Sequence, residues 1–321
     1  MKKKLSIGLA VVLLLLVIGL IGAGQYFYSV AISSNSESVD LHGGGESERA
    51  VAVSASKEEQ EKEEEIRRWT KRQDFEKVDI KSEDDLTLRA LYLENEETSN
   101  KTVILAHGYK GSNEQMKGIT KFYYEQGFNV LKPDARGHGK SEGDYIGYGW
   151  HDRLDIEQWV TLLIEEKQAA SIYLHGFSMG ASTVLMASGQ DLPAEVKGII
   201  ADSSYTTVKE ELSHQLNYLY DLPSFPILDV TSMITKVRAG YSFEEASALK
   251  QVGKTEVPIF FIHGAKDELV PTDMAHRLYE AAAGKKTLWI VPGAKHTEGY
   301  TVAEEQYKKR LTQFIENVST N

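Results

Sequence analysis

Residues 172–186 read Ile-Tyr-Leu-His-Gly-Phe-Ser-Met-Gly-Ala-Ser-Thr-Val-Leu-Met. The first four suit a buried strand, and the last six suit a helix. Between them, Gly176-Phe177-Ser178-Met179-Gly180 is a G-x-S-x-G sequence at a strand-to-helix turn, the pattern of a nucleophile elbow. So tight a turn presses the positions two before and two after the serine against other backbone, where glycine alone fits. The serine is then held exposed at a helix N-terminus, where developing negative charge is favoured.

A serine hydroxyl is a weak nucleophile without a base, and the base needs a carboxylate to orient it. In the chain order that goes with this elbow, both follow at the ends of later strands. Ile259-Phe260-Phe261-Ile262-His263-Gly264 reads as a buried strand, and Asp267 stands just past its end. Leu288-Trp289-Ile290-Val291 reads as the final strand, with His296 in the loop after it. Taken singly, Asp267 could cap a helix and His296 could be an ordinary loop histidine. Together, Ser178, Asp267 and His296 form a catalytic triad in the expected order. An oxyanion hole needs the backbone N–H after the nucleophile, here Met179, and a second from the loop after an earlier strand. The run 102–106 ends in His107-Gly108-Tyr109-Lys110-Gly111, and the N–H of Tyr109 is the expected second donor. His107 is read as positioning this loop.

Around these motifs, short apolar runs at 102–106, 129–133, 171–175, 198–201, 258–262 and 287–291 alternate with helical patterns at 114–126, 152–168, 179–189, 272–283 and 303–318. Runs at 75–80 and 86–93 predict an opening antiparallel pair. The alternation is the signature of a parallel α/β sheet. Residues 205–256 form a connection too long for a simple crossover and are predicted to be a cap. Their aromatic side chains point to a hydrophobic acyl or alcohol group on the substrate. Asp134-Ala135-Arg136-Gly137-His138-Gly139-Lys140-Ser141 lacks the spacing of a phosphate-binding loop and is read as fixing a turn. His151 and Asp155 stand four apart, but without a third ligand helix capping is the better reading. His42, His214 and His276 have no motif context and are taken as surface residues.

The chain has 321 residues, no cysteine and a net charge of −11. The missing cysteine removes disulfides, thiolate nucleophiles, iron–sulfur clusters and Cys-ligated zinc. Residues 1–73 are neutral in sum, so the whole −11 falls on 74–321 and argues against nucleic acid as a partner.

The N-terminus is of another kind. Lys2-Lys3-Lys4 precedes a charge-free apolar run, Leu5 to Gly24, long enough to cross a bilayer. The lysines predict residues 1–4 in the cytoplasm, a membrane anchor over 5–28 and everything downstream extracytoplasmic. The alternatives are a signal peptide cleaved near Ser29-Val30-Ala31, which the long apolar run disfavours, and a buried core helix. Tyr26, Phe27 and Tyr28 are expected at the membrane interface. Residues 29–73 are read as a flexible spacer followed by a solvated helix beginning near Ser56, with Ile66, Trp69 and Phe75 available to dock.

Residues from about 74 to 318 resemble the α/β-hydrolase superfamily, in particular bacterial membrane-tethered members of its serine-aminopeptidase-like branch. The resemblance rests on His107-Gly108, the 134–141 loop, Gly176 to Gly180, Gly264 to Asp267 and His296. Lys295 departs from it, standing where many relatives have a small residue. The resemblance implies a mostly parallel eight-stranded sheet with helices on both faces, a helical cap and no metal or organic cofactor. Serine at the elbow disfavours the epoxide hydrolase and haloalkane dehalogenase chemistries, which use aspartate there. The absence of cysteine excludes the dienelactone-hydrolase type. The expected activity is a serine hydrolase acting on a small-molecule ester or acyl substrate, tethered to the lipid bilayer by its N-terminal helix. A peptidase, amidase or thioesterase, or a non-catalytic binding module, are the alternatives.

Overall fold

Where the sequence alternates buried and exposed side chains, the chain opens with an antiparallel hairpin of β1 (Glu76–Lys81) and β2 (Thr87–Leu93). The near-continuous apolar runs that follow become β3 (Lys101–Ala106), β4 (Asn129–Pro133), β5 (Ser171–Phe177), β6 (Val196–Asp202), β7 (Ile259–Gly264) and β8 (Lys286–Val291). In the computed structural model, which describes residues 2–35, 57–97 and 99–319, they join in one sheet ordered β1-β2-β4-β3-β5-β6-β7-β8. All neighbours from β4 to β8 are parallel. Because β4 lies on one side of β3 and β5 on the other, the strand order reverses between β3 and β5. Loops diverge at such a point and leave a crevice at the carboxyl ends of the strands.

Side chains alternate across the sheet with period two. Val103, Leu105, Tyr173, Ile200, Phe260 and Ile262 face one way, against α3 (Lys117–Glu125) and α11 (Glu304–Ser319). Ile104, Ile172, Leu174, Ile199 and Phe261 face the other, against α4 (Asp152–Glu165) and α5 (Met179–Ala187). After β8 the 303–318 pattern forms α11, preceded by a short α10 (Gly299–Val302) that the sequence did not suggest. α9 (Thr272–Ala281) connects β7 to β8.

The 205–256 connection folds as α6 (Val208–Tyr220), α7 (Ile227–Ala239) and α8 (Ala248–Val252). Thr207 caps α6 by accepting the N–H of Glu210, and Ser247 caps α8 by accepting that of Lys250. Tyr205, Tyr241 and Phe243, whose aromatic side chains were expected to face a hydrophobic substrate group, are instead buried in the core. Their phenols reach backbone: Tyr205 donates to the carbonyl of Tyr148 and Tyr241 to that of Ile146.

Two expectations about the N-terminus are corrected. α1 (Lys2–Phe27) continues into a π-helical turn, Tyr28–Ile32, whose last residues belong to the globular core. Ile32 is fully buried, its carbonyl accepts the N–H of Ile146, and Ser34 N–H donates to the carbonyl of Asp144. Residues 29–35 are thus docked structure, because tertiary partners satisfy a backbone that has no strong local preference. Of the aromatic trio, Tyr26 is exposed, while Phe27 and Tyr28 are buried against the cap, Phe27 edge-on to Tyr220. The rest of the expected spacer, 36–56, with Ser56 and His42, lies outside the described residues. α2 (Lys57–Arg72) packs along α3, with Trp69 edge-on to Tyr124. Lys62 pairs with Glu304, and Lys121 with Glu65.

Candidate active site

Ser178 stands at the end of β5 with φ 54° and ψ −117°, a conformation seldom adopted by a side chain that is not glycine. Its glycines are sterically required. A Cβ on Gly176 would lie 2.1 Å from the carbonyl oxygen of Gly180, and one on Gly180 would lie 2.1 Å from that of Ala106. The strained turn aims the Ser178 hydroxyl at His296 Nε2, 2.8 Å away. His296 Nδ1 in turn lies 2.8 Å from Asp267 Oδ2. The structure brings together all three residues from loops at the carboxyl ends of β5, β7 and β8.

Asp267 is held more firmly than its spacing foretold. Its Oδ1 accepts the N–H groups of Leu269 and Val270 in the turn before α9, so it fixes the strand-end turn and does not cap the helix, whose first turn has Pro271 at its cap. Its Oδ2 also lies 3.1 Å from Nε2 of His263, a fully buried residue of β7. Burial alone would push the Asp267 carboxyl up. The hydrogen bonds and charges of His263 and His296 outweigh that and hold it well below the usual carboxylate range. Sequence reasoning passed over His263; the available signal was its position four residues before Asp267, across the strand-end turn. Thr297 N–H donates to Ser203 Oγ just beyond β6, fixing the loop after His296.

The loop after β3 closes over the nucleophile. A Cβ on Gly108 would lie 3.4 Å from Ser178 Cβ, which brings the neighbouring Tyr109 to the rim of the site. Met179, the first residue of α5, has one of the N–H groups that a helix start leaves without an intrahelical partner. His107 Nδ1 bonds to the carbonyl of Gly108, and its Nε2 accepts the N–H of Ala135. Burial pushes His107 down to about 3, so the ring is neutral and serves as a strut. His138 plays the same part from the 134–141 loop, its Nε2 accepting the N–H of Lys110. Asp134 accepts the N–H groups of Asn113 and Lys140. Arg136, almost fully buried, grips Asp155 through Nε and Nη2 and reaches Asp84 through Nη1. Asp155 therefore holds an arginine and does not cap its helix; Asp152 does the local work by accepting the N–H of Gly149. His151 instead meets the phenol of Tyr145, and no cluster of three metal-ligating side chains occurs among the described residues.

The segment after α1 reaches this loop directly. The hydroxyls of Tyr109 and Tyr148 both donate to the carbonyl of Ala31, at 3.0 Å and 3.2 Å. The residue named for its backbone thus joins the site to the N-terminal segment through its side chain.

A cavity of about 350 Å³ adjoins Ser178 and His296, lined by Tyr109, Met116, Ile119, Phe177, Tyr300 and Thr301 among others. None of its lining residues comes from the 205–256 cap, and none is a carboxylate or a cation. A more polar hollow of about 420 Å³ lies between Lys286 and Arg310, at the amino ends of β7 and β8, away from the three residues.

A hydrogen-bonded serine, histidine and aspartate at the carboxyl ends of a switch-point sheet define a class, the α/β hydrolases. Comparison with known proteins agrees. The family model for serine aminopeptidase S33 matches residues 97–245. The uncharacterized protein YqkD of Bacillus subtilis is 33% identical over 219 residues, 68% of this chain and 72% of that protein. A lysophosphatidylserine lipase of Danio rerio, ABHD12, is 28% identical over 204 residues, 61% of this chain and 51% of its own. Among solved structures, the Pyrococcus furiosus esterase Pf2001 superposes with a TM-score of 0.64 at 27% identity, covering 77% of this chain and 92% of that one. The chain belongs to the α/β-hydrolase superfamily and is a hydrolase by class.

Proposed function

We propose that the protein is a serine esterase that transfers an acyl group to water through an acyl-enzyme on Ser178. The observation that carries this reading is the Ser178–His296–Asp267 chain, with both contacts at 2.8 Å, beside an apolar cavity. His296 Nε2 takes the hydroxyl proton as Ser178 Oγ attacks the carbonyl carbon, and Asp267 holds the imidazole in the required tautomer. The backbone N–H groups of Tyr109 and Met179 receive the oxyanion. As the tetrahedral intermediate collapses, His296 returns the proton to the departing alcohol. It then takes one from the water that releases the acid.

The cavity favours an ester over a peptide with a free amino end, because it offers no carboxylate to pair with an ammonium group. A hydrolase tied to the membrane by α1, with its domain outside the cytoplasm, is supported by the lysines before the span. Retention of α1 is supported by the burial of Val30 and Ala31, where the alternative cleavage site would lie. The test is a panel of nitrophenyl esters assayed beside aminoacyl-arylamides. Ester turnover that exceeds arylamide turnover at least tenfold is the expected result, and the reverse preference would move the protein to the peptidases.

A further inference from the structure

Large apolar side chains left exposed on a soluble domain are ordinarily scattered. Here they are not. Beyond α1, the exposed ones among the described residues are Tyr218, Leu219, Phe225, Met233, Val237 and Val302. All but Val302 lie on α6, on α7 or on the turn between them. Phe225 is 75% exposed, Met233 69% and Val237 86%, values that no internal packing role explains.

The same helix carries the anchor. A Cβ on Gly24 would lie 2.7 Å from Val230 Cγ1 and 3.2 Å from Ile234 Cδ1, so α1 and α7 meet closely at a small residue. Val230, Met233, Ile234 and Val237 follow i, i+3, i+4, i+7 and share one stripe of α7. Val230 and Ile234 face α1, which leaves Met233 and Val237 exposed beside it. The charged side chains of α7 turn elsewhere: Asp229 to Lys209, Lys236 to Glu245, and Arg238 over the Tyr28 ring.

Gly24 stands beside Val230 and Ile234, Phe27 beside Leu228 and Tyr28 beside Arg238, so α7 lies across α1 where the apolar run ends. From Leu5 to Gly24 the helix rises ~30 Å, the thickness of a bilayer's hydrocarbon core, which places Gly24 at the hydrocarbon edge. Val230 and Ile234, in contact with Gly24, bring α7 and its exposed Met233 to that level.

We infer that the cap is a membrane-seated surface. The exposed apolar side chains of α7 and of the α6–α7 turn, Phe225, Met233 and Val237, enter the acyl–headgroup boundary of the bilayer that α1 crosses. The seat rests on the reading of α1 as a spanning helix.

The native chain has no cysteine, so Phe225→Cys, Val237→Cys, His276→Cys and Leu14→Cys each present one thiol. Each full-length variant is labelled with an environment-sensitive fluorophore and placed in phosphatidylcholine vesicles carrying doxyl-labelled phosphatidylcholine. The seat predicts several-fold stronger quenching at 225 and at 237 than at 276 by a doxyl group near the headgroup. Iodide in the water should quench 276 more strongly than either. Equal quenching at 225 and 276, with 14 quenched by a deep doxyl group, overturns the seat while leaving the anchor standing; cover by residues 36–56 or by a second copy would give this pattern. An unquenched label at 14 overturns the anchor and the seat together.

Discussion

The Asp267 carboxylate accepts hydrogen bonds from two backbone N–H groups and from His296, and its Oδ2 lies 3.1 Å from Nε2 of the fully buried His263. Replacing it by asparagine puts a donor where His296 Nδ1–H must be accepted, and the ring then holds the wrong tautomer. Asp267→Asn should lower kcat by about 10⁴-fold with little change in KM, measured by ester turnover at saturating substrate. A second carboxylate lies close behind. Glu211 is buried in α6, accepts from Gln215 and keeps its Oε2 without a partner. Burial pushes it up to about 8; the Gln215 hydrogen bond lowers it in part, and the negative charge of Asp267 raises it further. The folded protein therefore holds this proton between about pH 4.5 and 8, where the unfolded chain has released it. Stability from this site is greatest below that range and falls as pH rises through it. Glu211→Gln should flatten the decline of Tm between pH 5 and 8, and an unchanged slope would assign the decline to another group. Ser178, Asp267 and His296 were legible because each follows an apolar strand in a fixed order. His263 and Glu211 were not, because a buried polar side chain within a strand or helix carries no local mark of what it faces.

Among the elements, the segment after α1 departs furthest from its sequence. Nothing local distinguishes residues 28–34 from a linker, and a π-helical turn has no simple periodic signature. What orders them is tertiary: the phenols of Tyr109 and Tyr148 on the carbonyl of Ala31, and Phe27 seated among Leu212, Leu216 and Leu228. A chain starting at Lys57 removes the acceptor of the Tyr109 and Tyr148 hydroxyls and opens them to water. It also uncovers the underside of the cap. Such a chain should react with a fluorophosphonate about tenfold more slowly than one starting at Gly24; equal rates would mean that the Tyr109 loop holds its shape unaided. The aromatic insertion teaches a related lesson. Its composition was legible as apolar, but composition does not say whether an aromatic residue faces substrate, core or surface. Here Tyr241 and Phe243 are core, and the cavity beside Ser178 takes its apolar wall from Tyr109, Ile119, Phe177 and Tyr300.

At the scale of the molecule, the strand–helix alternation specified the parallel sheet, because only right-handed crossovers between buried strands satisfy that pattern. The order β4-β3-β5 then puts the elbow beside the Tyr109 loop at the reversal point. Charge divides the same way: the −11 belongs to residues 74–321, while the span is uncharged from Leu5 to Ser36. The docked N-terminal segment joins the two parts, so that the hydrolase domain and the apolar helix α1 meet at α7 and at the rim of the site. The central claim, a serine nucleophile in an esterase, is tested most directly by reacting the full-length protein with a fluorophosphonate and locating the adduct by mass spectrometry. The account predicts one adduct on Ser178, loss of nitrophenyl ester turnover in step with labelling, and neither labelling nor turnover in Ser178→Ala. Full turnover by Ser178→Ala, or an adduct on another residue that abolishes activity, would contradict it.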